Sequence, residues 1–428
     1  MKIAMFTNTY LPHVGGVARS VKTLEDACRR QGHEVRVIAP EFEGSEDSPD
    51  VLRVPAIQHF NGSDFSVQLP MPNIIREYMD DFRPDLIHSH HPFLLGDAAL
   101  REAWKMRVPI VFTHHTLYER YTHYVPLDSP ALKRVAVQLA TEYCNLCDRI
   151  IAPSESIERL LLERGVTSSI LAIPTGIDTG FFAAGNGARF RGQAGIPPEA
   201  KVIGHVGRLA KEKNLLFIAE AVAVCLKADP AAVLLLVGDG DVREEMLAYL
   251  HGEVGRARIF YAGKQSGQNL ADAYAAMDWF VFASQTETQG LVLAEAMAAG
   301  KPVVALDGPG VREIMRDGEN GLMLDGDAPP GEFAAALARL MNDTGLSRRC
   351  AEQARETAEH YSTGRCAGRM LECYQALIGS HRRSAAADPQ PWDRLLAGID
   401  IEWNLLVGKL SAAAAAVSET PATEARLD

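Results

Sequence analysis

At 428 residues the chain is too long for one typical core and predicts two domains. Its 47% hydrophobic and 23% charged residues suit a globular enzyme, and a net charge of -12 argues against nucleic acid as a partner. Seven scattered cysteines, an odd count, do not make a disulfide framework. Cys144 and Cys147 have no second pair nearby to complete a zinc site, so buried thiols are expected.

The chain opens on the strand pattern KIAMFT with no secretory apolar stretch ahead of it. No apolar run approaches the roughly 20 residues that span a bilayer. The expectation is a cytoplasmic protein, at most peripheral on the inner face of the cell membrane. After KIAMFT come a helical pattern over 17–31 and the strand HEVRVIA. DLIHSH, PIVFTHH, DRIIAPS and ILAIP follow, most of them separated by helical patterns. This alternation predicts a parallel sheet covered by helices on both faces.

Between 174 and 195 the period is lost in a Gly-, Ala- and Pro-rich stretch. It restarts with VIGHVG, AAVLLLVGDG, RIFYAG, WFVFAS, PVVALD and GLML, again with helices between. The predicted fold class is therefore α/β, with two doubly wound Rossmann-like domains facing a cleft. A first domain covers 1–185 and a second covers 186–360. A helix over 361–380 is expected to cross back to the first domain. The tail, 381–428, carries one amphipathic helix in which Trp392, Leu395, Leu396, Ile399, Trp403, Leu406 and Leu410 share a face. Ligands of such sheets bind beyond the carboxyl ends of the strands, so functional residues are expected in the loops after strands.

The strongest chemical signal is TETQGLVLAEAMAAG, in which seven residues separate Glu287 from Glu295. Gly290 opens a helix whose first residue is Leu291, and free N–H groups at a helix start after a strand form a seat for a diphosphate. Gly290 also lets a ligand approach the backbone closely. Glu295, one or two turns in, suits ribose hydroxyls, and Glu287 in the loop is placed to meet a sugar. The second signal is GHVGRLAKEKN: Arg208 offers a planar fork and Lys213 a mobile charge for a leaving diphosphate. Those two cations supply the positive charge that a metal would otherwise bring, and no cofactor or metal is expected. Asp239 and Asp241 match an Asp-x-Asp metal pattern by coincidence, in a turn after a strand.

Together these residues resemble the family-4 retaining glycosyltransferases of the GT-B fold, over roughly residues 1–378. The resemblance makes 1–185 the N-terminal acceptor-side domain and 186–360 the C-terminal nucleotide-sugar-binding domain. The resemblance implies that Arg208 and Lys213 bind the donor diphosphate, Glu287 approaches the hexose and Glu295 binds the ribose. It implies that Gly15 and Gly16, at the end of TNTYLPHVGGV, reach the donor phosphate or the acceptor. It assigns His115, in THHTLYERYTHYVP, to the transferred sugar. The three histidines at 88, 90 and 91 are read as lining or structural groups, because clustering alone is not ligand geometry.

TETQGL and HHTLYERYTHYVP further resemble the bacterial diacylglycerol glucosyltransferases. That resemblance implies transfer of glucose from UDP-glucose to a lipid acceptor such as diacylglycerol. Arg101, Lys105, Arg107, Arg120, Lys133 and Arg134, interleaved with Trp104, Tyr118, Tyr121 and Tyr124, suit an anionic membrane surface. The alternatives are a GDP-mannose-dependent mannosyltransferase acting on a lipid or polysaccharide, a nucleotide-sugar epimerase, and a non-catalytic nucleotide-sugar sensor.

Overall fold

The structure is a computed structural model that describes residues 1–13, 15–57, 67–68, 72–117, 130–284, 287 and 289–385. The chain divides into two compact units, Met1–Ile173 with the residues from Ala367 onward, and Pro174–Cys366. Each is built on its own parallel sheet. The amphipathic pattern at 392–410 lies outside the described residues, as do Tyr118, Arg120, Tyr121 and Tyr124.

In the first unit seven strands lie in the order Val51–Val54, Glu34–Pro40, Lys2–Phe6, Leu86–Ser89, Ile110–Thr113, Arg149–Ala152, Ile170–Ala172. All six neighbouring pairs run parallel. The order reverses between Lys2–Phe6 and Leu86–Ser89, so a crevice opens there at the strands' carboxyl ends. Leu86–Ser89 and Ile110–Thr113 are buried along their whole length, as expected for strands covered on both faces. The helix Thr363–Ala385 adds Met370, Leu371, Tyr374, Leu377 and Ile378 to one face of this core.

The second unit repeats the design with six strands. Their order is Ile259–Tyr261, Ala232–Val237, Lys201–Val206, Trp279–Phe282, Val303–Leu306, Gly321–Leu324, again all parallel. AVLLLV and WFVF are continuous apolar runs and are wholly buried. Here the order reverses between Lys201–Val206 and Trp279–Phe282, which pair through Ile203 with Trp279 and Gly204 with Phe280. The loops that leave these two strands carry Arg208 and Lys213 on one side and Glu287 on the other.

No described helix is long and apolar enough to cross a membrane. All seven cysteines are free and buried, and burial pushes the thiol of Cys144 up to about 12.

Glycine governs how closely the loops of the second unit pack. Gly238 has φ +133°, and a Cβ there would lie 1.8 Å from the carbonyl oxygen of Gly207. Gly192, on the helix Gly187–Ala194, has nothing within 4 Å of that position. Gly238→Ala should therefore cost at least about 1–3 kcal/mol from backbone strain, before any displacement of the facing loop. Gly192→Ala should add about 0.5–1 kcal/mol of stability. Urea unfolding of the two variants beside the parent checks this, and equal midpoints would contradict it.

Candidate active site

Lys213 and Glu287, which the sequence suggests for a donor site, converge because their strands are neighbours at the crossover. Lys213 ends a short 3-10 turn, Lys211–Lys213, and Asn214 then takes a left-handed conformation, φ 54°, to start the helix Leu215–Ala228. The Lys213 Nζ reaches the Glu287 Oε1 and forms an ion pair across the strand ends. Ser284 Oγ donates to the Glu212 carbonyl oxygen at 3.3 Å and ties the same two loops a second time.

Arg208 is exposed, but its backbone is clamped. Gly207 N donates to Val237 O, Leu209 N to Asp239 O and Val242 N to Leu209 O, at 3.0, 3.0 and 2.9 Å. Gly238 and Gly240 let this neighbouring turn press against residues 207–209. Asp239 is engaged by Arg243 at 3.0 Å and by the N–H of Gly240 at 2.9 Å. The Asp-x-Asp pattern thus belongs to a packed turn.

Gly290 adopts φ 65° and opens the helix Leu291–Ala298. That helix is apolar except for Glu295, and most of it is buried. A nearly all-round apolar helix belongs in a core, so its one carboxylate stands out chemically. Glu295 is 1% exposed, and its Oε2 accepts a 2.7 Å hydrogen bond from the fully buried Tyr274 hydroxyl. Gly310 holds the loop that precedes the helix. Its N–H donates to Glu287 O at 2.9 Å, and a Cβ there would sit 2.7 Å from Gln289 N and 2.9 Å from Glu287 Cβ.

His205, one residue before the end of its strand, also lies near this site. Its Nδ1 donates to Val281 O at 3.0 Å, and its ring lies beside Phe280 and Phe282. Burial is the main cause that holds its pKa down at about 4. Tyr274, Gly310 and His205 were not singled out from the sequence. Tyr274 sits in an ordinary helical stretch, and Gly310 in a Gly- and Pro-containing stretch that reads as a turn.

In the first unit Gly15 precedes the helix Gly16–Arg30, and a Cβ on Gly16 would meet nothing within 4 Å. His115 follows the strand Ile110–Thr113, and its Nε2 lies 2.9 Å from Nδ1 of His90. His90 lies over His88, ring centroids 4.1 Å apart. His91 accepts a 3.0 Å hydrogen bond from the N–H of Asn8. No group of three or more His, Cys, Asp or Glu among the described residues has metal-binding geometry. Lys105 is paired with Glu102 at 2.8 Å, and Trp104 is exposed.

Residues 14–181 match the family pattern "Glycosyltransferase Family 4", and residues 187–357 match "Glycosyl transferases group 1". The chain is 31% identical to a GDP-mannose-dependent alpha-mannosyltransferase of Mycolicibacterium smegmatis, over 90% of this chain and 100% of that one. The chain belongs to the family-4 glycosyltransferases. It is 30% identical to the alpha-monoglucosyldiacylglycerol synthase of Acholeplasma laidlawii, over 76% of this chain and 85% of the relative. The fold of this glycosyltransferase matches that of HepE from Anabaena, solved in complex with UDP-glucose, at a TM-score of 0.70. That match has 19% identity and covers 88% of this chain and 100% of the other. The architecture is GT-B, and the enzyme is a hexosyltransferase.

The buried histidines make the stability of the glycosyltransferase depend on acid. Burial holds His88 and His91 at about 3 and His205 at about 4, below the ordinary 6.5. A lowered folded pKa means that the unfolded chain binds more protons once the pH falls below about 6.5. Stability is complete above that value and drains away as the pH falls toward the folded values. At pH 5 each of these histidines should withdraw about 2 kcal/mol. Urea unfolding at pH 7 and pH 5 measures the loss, and equal stability at both would contradict it.

Proposed function

We propose that the enzyme transfers glucose from UDP-glucose to diacylglycerol with retention of the anomeric configuration, at the surface of an anionic membrane. The observation that carries the donor half is the meeting of Lys213, Glu287 and the Gly290-opened helix at the strand crossover of the second unit. In this reading Arg208, Lys213 and the N–H groups from Leu291 onward take the diphosphate. Glu287 meets the hexose and Glu295 the ribose. Gly15 and Gly16 offer backbone to a phosphate or to the acceptor, and His115 is assigned to the transferred sugar.

The reaction breaks the bond from the anomeric carbon to the diphosphate oxygen and forms one to the acceptor hydroxyl oxygen on the same face. The acceptor's proton passes to the departing diphosphate, whose growing negative charge Arg208 and Lys213 stabilise. No side chain is assigned as a covalent nucleophile, and no metal or cofactor is required.

The choice of glucose and lipid is supported by TETQGL and HHTLYERYTHYVP, and by likeness to two alpha-monoglucosyldiacylglycerol synthases. Six basic residues against three acidic ones across 101–134 support an anionic surface, each cation near it contributing about 1 kcal/mol. A second reading is a GDP-mannose-dependent mannosyltransferase. It is favoured by relatives of that name that match over 99% and 100% of their own length.

The test crosses UDP-glucose, UDP-galactose and GDP-mannose with dispersed diacylglycerol and with soluble sugars. UDP-glucose with diacylglycerol should turn over fastest and give an α-linked product, with EDTA leaving the rate unchanged. Arg208→Ala or Lys213→Ala should each cost about 2–4 kcal/mol of transition-state stabilisation, read as kcat/KM. Mannosyl transfer from GDP-mannose alone would establish the second reading, and a β-linked product would exclude the same-face reaction.

A further inference from the structure

The loop that carries Glu287 is gripped from two sides by groups other than its own carboxylate. On one side the N–H of Gly310 donates to Glu287 O at 2.9 Å. On the other the side chain of Gln289, 7% exposed, donates from Nε2 to the backbone oxygen of Thr175 at 2.9 Å. A carbonyl oxygen only accepts, so the amide turns its NH2 toward Thr175. Pulling a buried amide off its acceptor leaves a donor unmet, which keeps the side chain where it is.

The anchor at Thr175 is itself fixed. The next residue, Gly176, presses on Thr363, where a Cβ would lie 2.4 Å from Thr363 Cα. Ile177 donates to Tyr361 O and accepts from the N–H of Thr363, both at 2.8 Å, so the two segments pair as a short parallel bridge. Ile177 is 5% exposed and packs into the core of the second unit, to which Thr175, Gln289 and Gly310 all belong. Gln289 thus ties the loop to main chain that is bound to main chain.

The ion pair of Glu287 with Lys213 is a tie of another kind. It is partly exposed, and it uses the carboxylate that is assigned to the hexose. In the proposed reaction Glu287 turns from Lys213 to the sugar, and the ion pair then no longer holds the loop. The contacts made by Gln289 and Gly310 do not use that carboxylate and outlast the exchange.

We propose that Gln289 is a positioning residue: its side-chain amide clips the loop to Thr175 O and holds Glu287, two residues before it, and the helix start at Gly290, one residue after it, while Glu287 changes partner. This role rests on the reading of Glu287 as the group that meets the hexose.

Gln289→Met keeps the length of the side chain and removes the amide, whereas Gln289→Asn keeps the amide and draws it back by one carbon. Hydrogen exchange on the full-length enzyme reads the clip without any substrate. In both variants the amide of Gly310 should exchange about tenfold faster than in the parent, while those of Ile177 and Thr363 stay within about twofold. With UDP-glucose or GDP-mannose, whichever the parent turns over, donor kcat/KM should fall about tenfold, part of it as a raised donor KM, with acceptor KM within about twofold. A mere loss of folded enzyme would lower kcat and move neither KM. Should the Met variant fail to fold, the Asn variant carries the same test. Exchange of Gly310 as slow as in the parent would overturn the clip. Faster exchange with donor kcat/KM within about threefold of the parent would overturn the positioning role. Full activity in Glu287→Ala would instead overturn the reading of Glu287, leaving the clip itself to stand on the exchange result.

Discussion

The ion pair between Lys213 and Glu287 depends on a single topological fact, that Lys201–Val206 and Trp279–Phe282 are adjacent strands although 72 residues separate the end of one from the start of the other. Parallel neighbours at the reversal of strand order send their exit loops to opposite sides and leave a crevice between them. A cation on one loop and a carboxylate on the other then meet at the mouth of that crevice. Alone such a pair, partly exposed, contributes little to stability. Its importance is that it holds two loops in register at the place where a diphosphate and a hexose are proposed to lie.

The surrounding backbone enforces the same arrangement. Gly238 and Gly240 bring one turn against residues 207–209, and Gly310 brings another against Glu287 and Gln289. The contacts of Gly238 and Gly240 are backbone against backbone, and Gly310 meets Gln289 N and the O and Cβ of Glu287. None of the three has room for a side chain, so the loops are set by main-chain hydrogen bonds more than by flexible side chains. Burial of Glu295 against Tyr274 extends that rigidity into the helix Leu291–Ala298. A site that orders its donors and cations before a ligand arrives loses little to reorganisation when charge develops on the leaving group.

Much of this was legible in the chain itself. The apolar runs VIGHVG, AAVLLLV and WFVFAS read as buried parallel strands because both faces are covered, and Glu287, Glu295, Arg208 and Lys213 stood out by their spacing after them. The adjacency that joins Lys213 to Glu287 has no local signal, since strand order is decided by long-range packing. Tyr274 is hidden for the same reason: a tyrosine in a helical pattern reads as core until its hydroxyl is seen on Glu295. His90 and His115 lie 25 residues apart on the exits of neighbouring strands, so their pairing becomes visible only once Leu86–Ser89 lies beside Ile110–Thr113. Likeness to known proteins establishes the family and the fold, while the choice of glucose and lipid is proposed from TETQGL, HHTLYERYTHYVP and relatives named for that activity.

The most direct measurement of the central claim is a crystal structure of the second unit's site with an intact nucleotide-sugar bound to the full-length enzyme. Diphosphate oxygens should lie within hydrogen-bond reach of Arg208, Lys213 and the N–H groups that begin at Leu291, with Glu295 on the ribose and Glu287 turned from Lys213 toward the hexose. A nucleotide bound away from this crossover, or one whose diphosphate is held by a metal ion with Arg208 and Lys213 uninvolved, would contradict it.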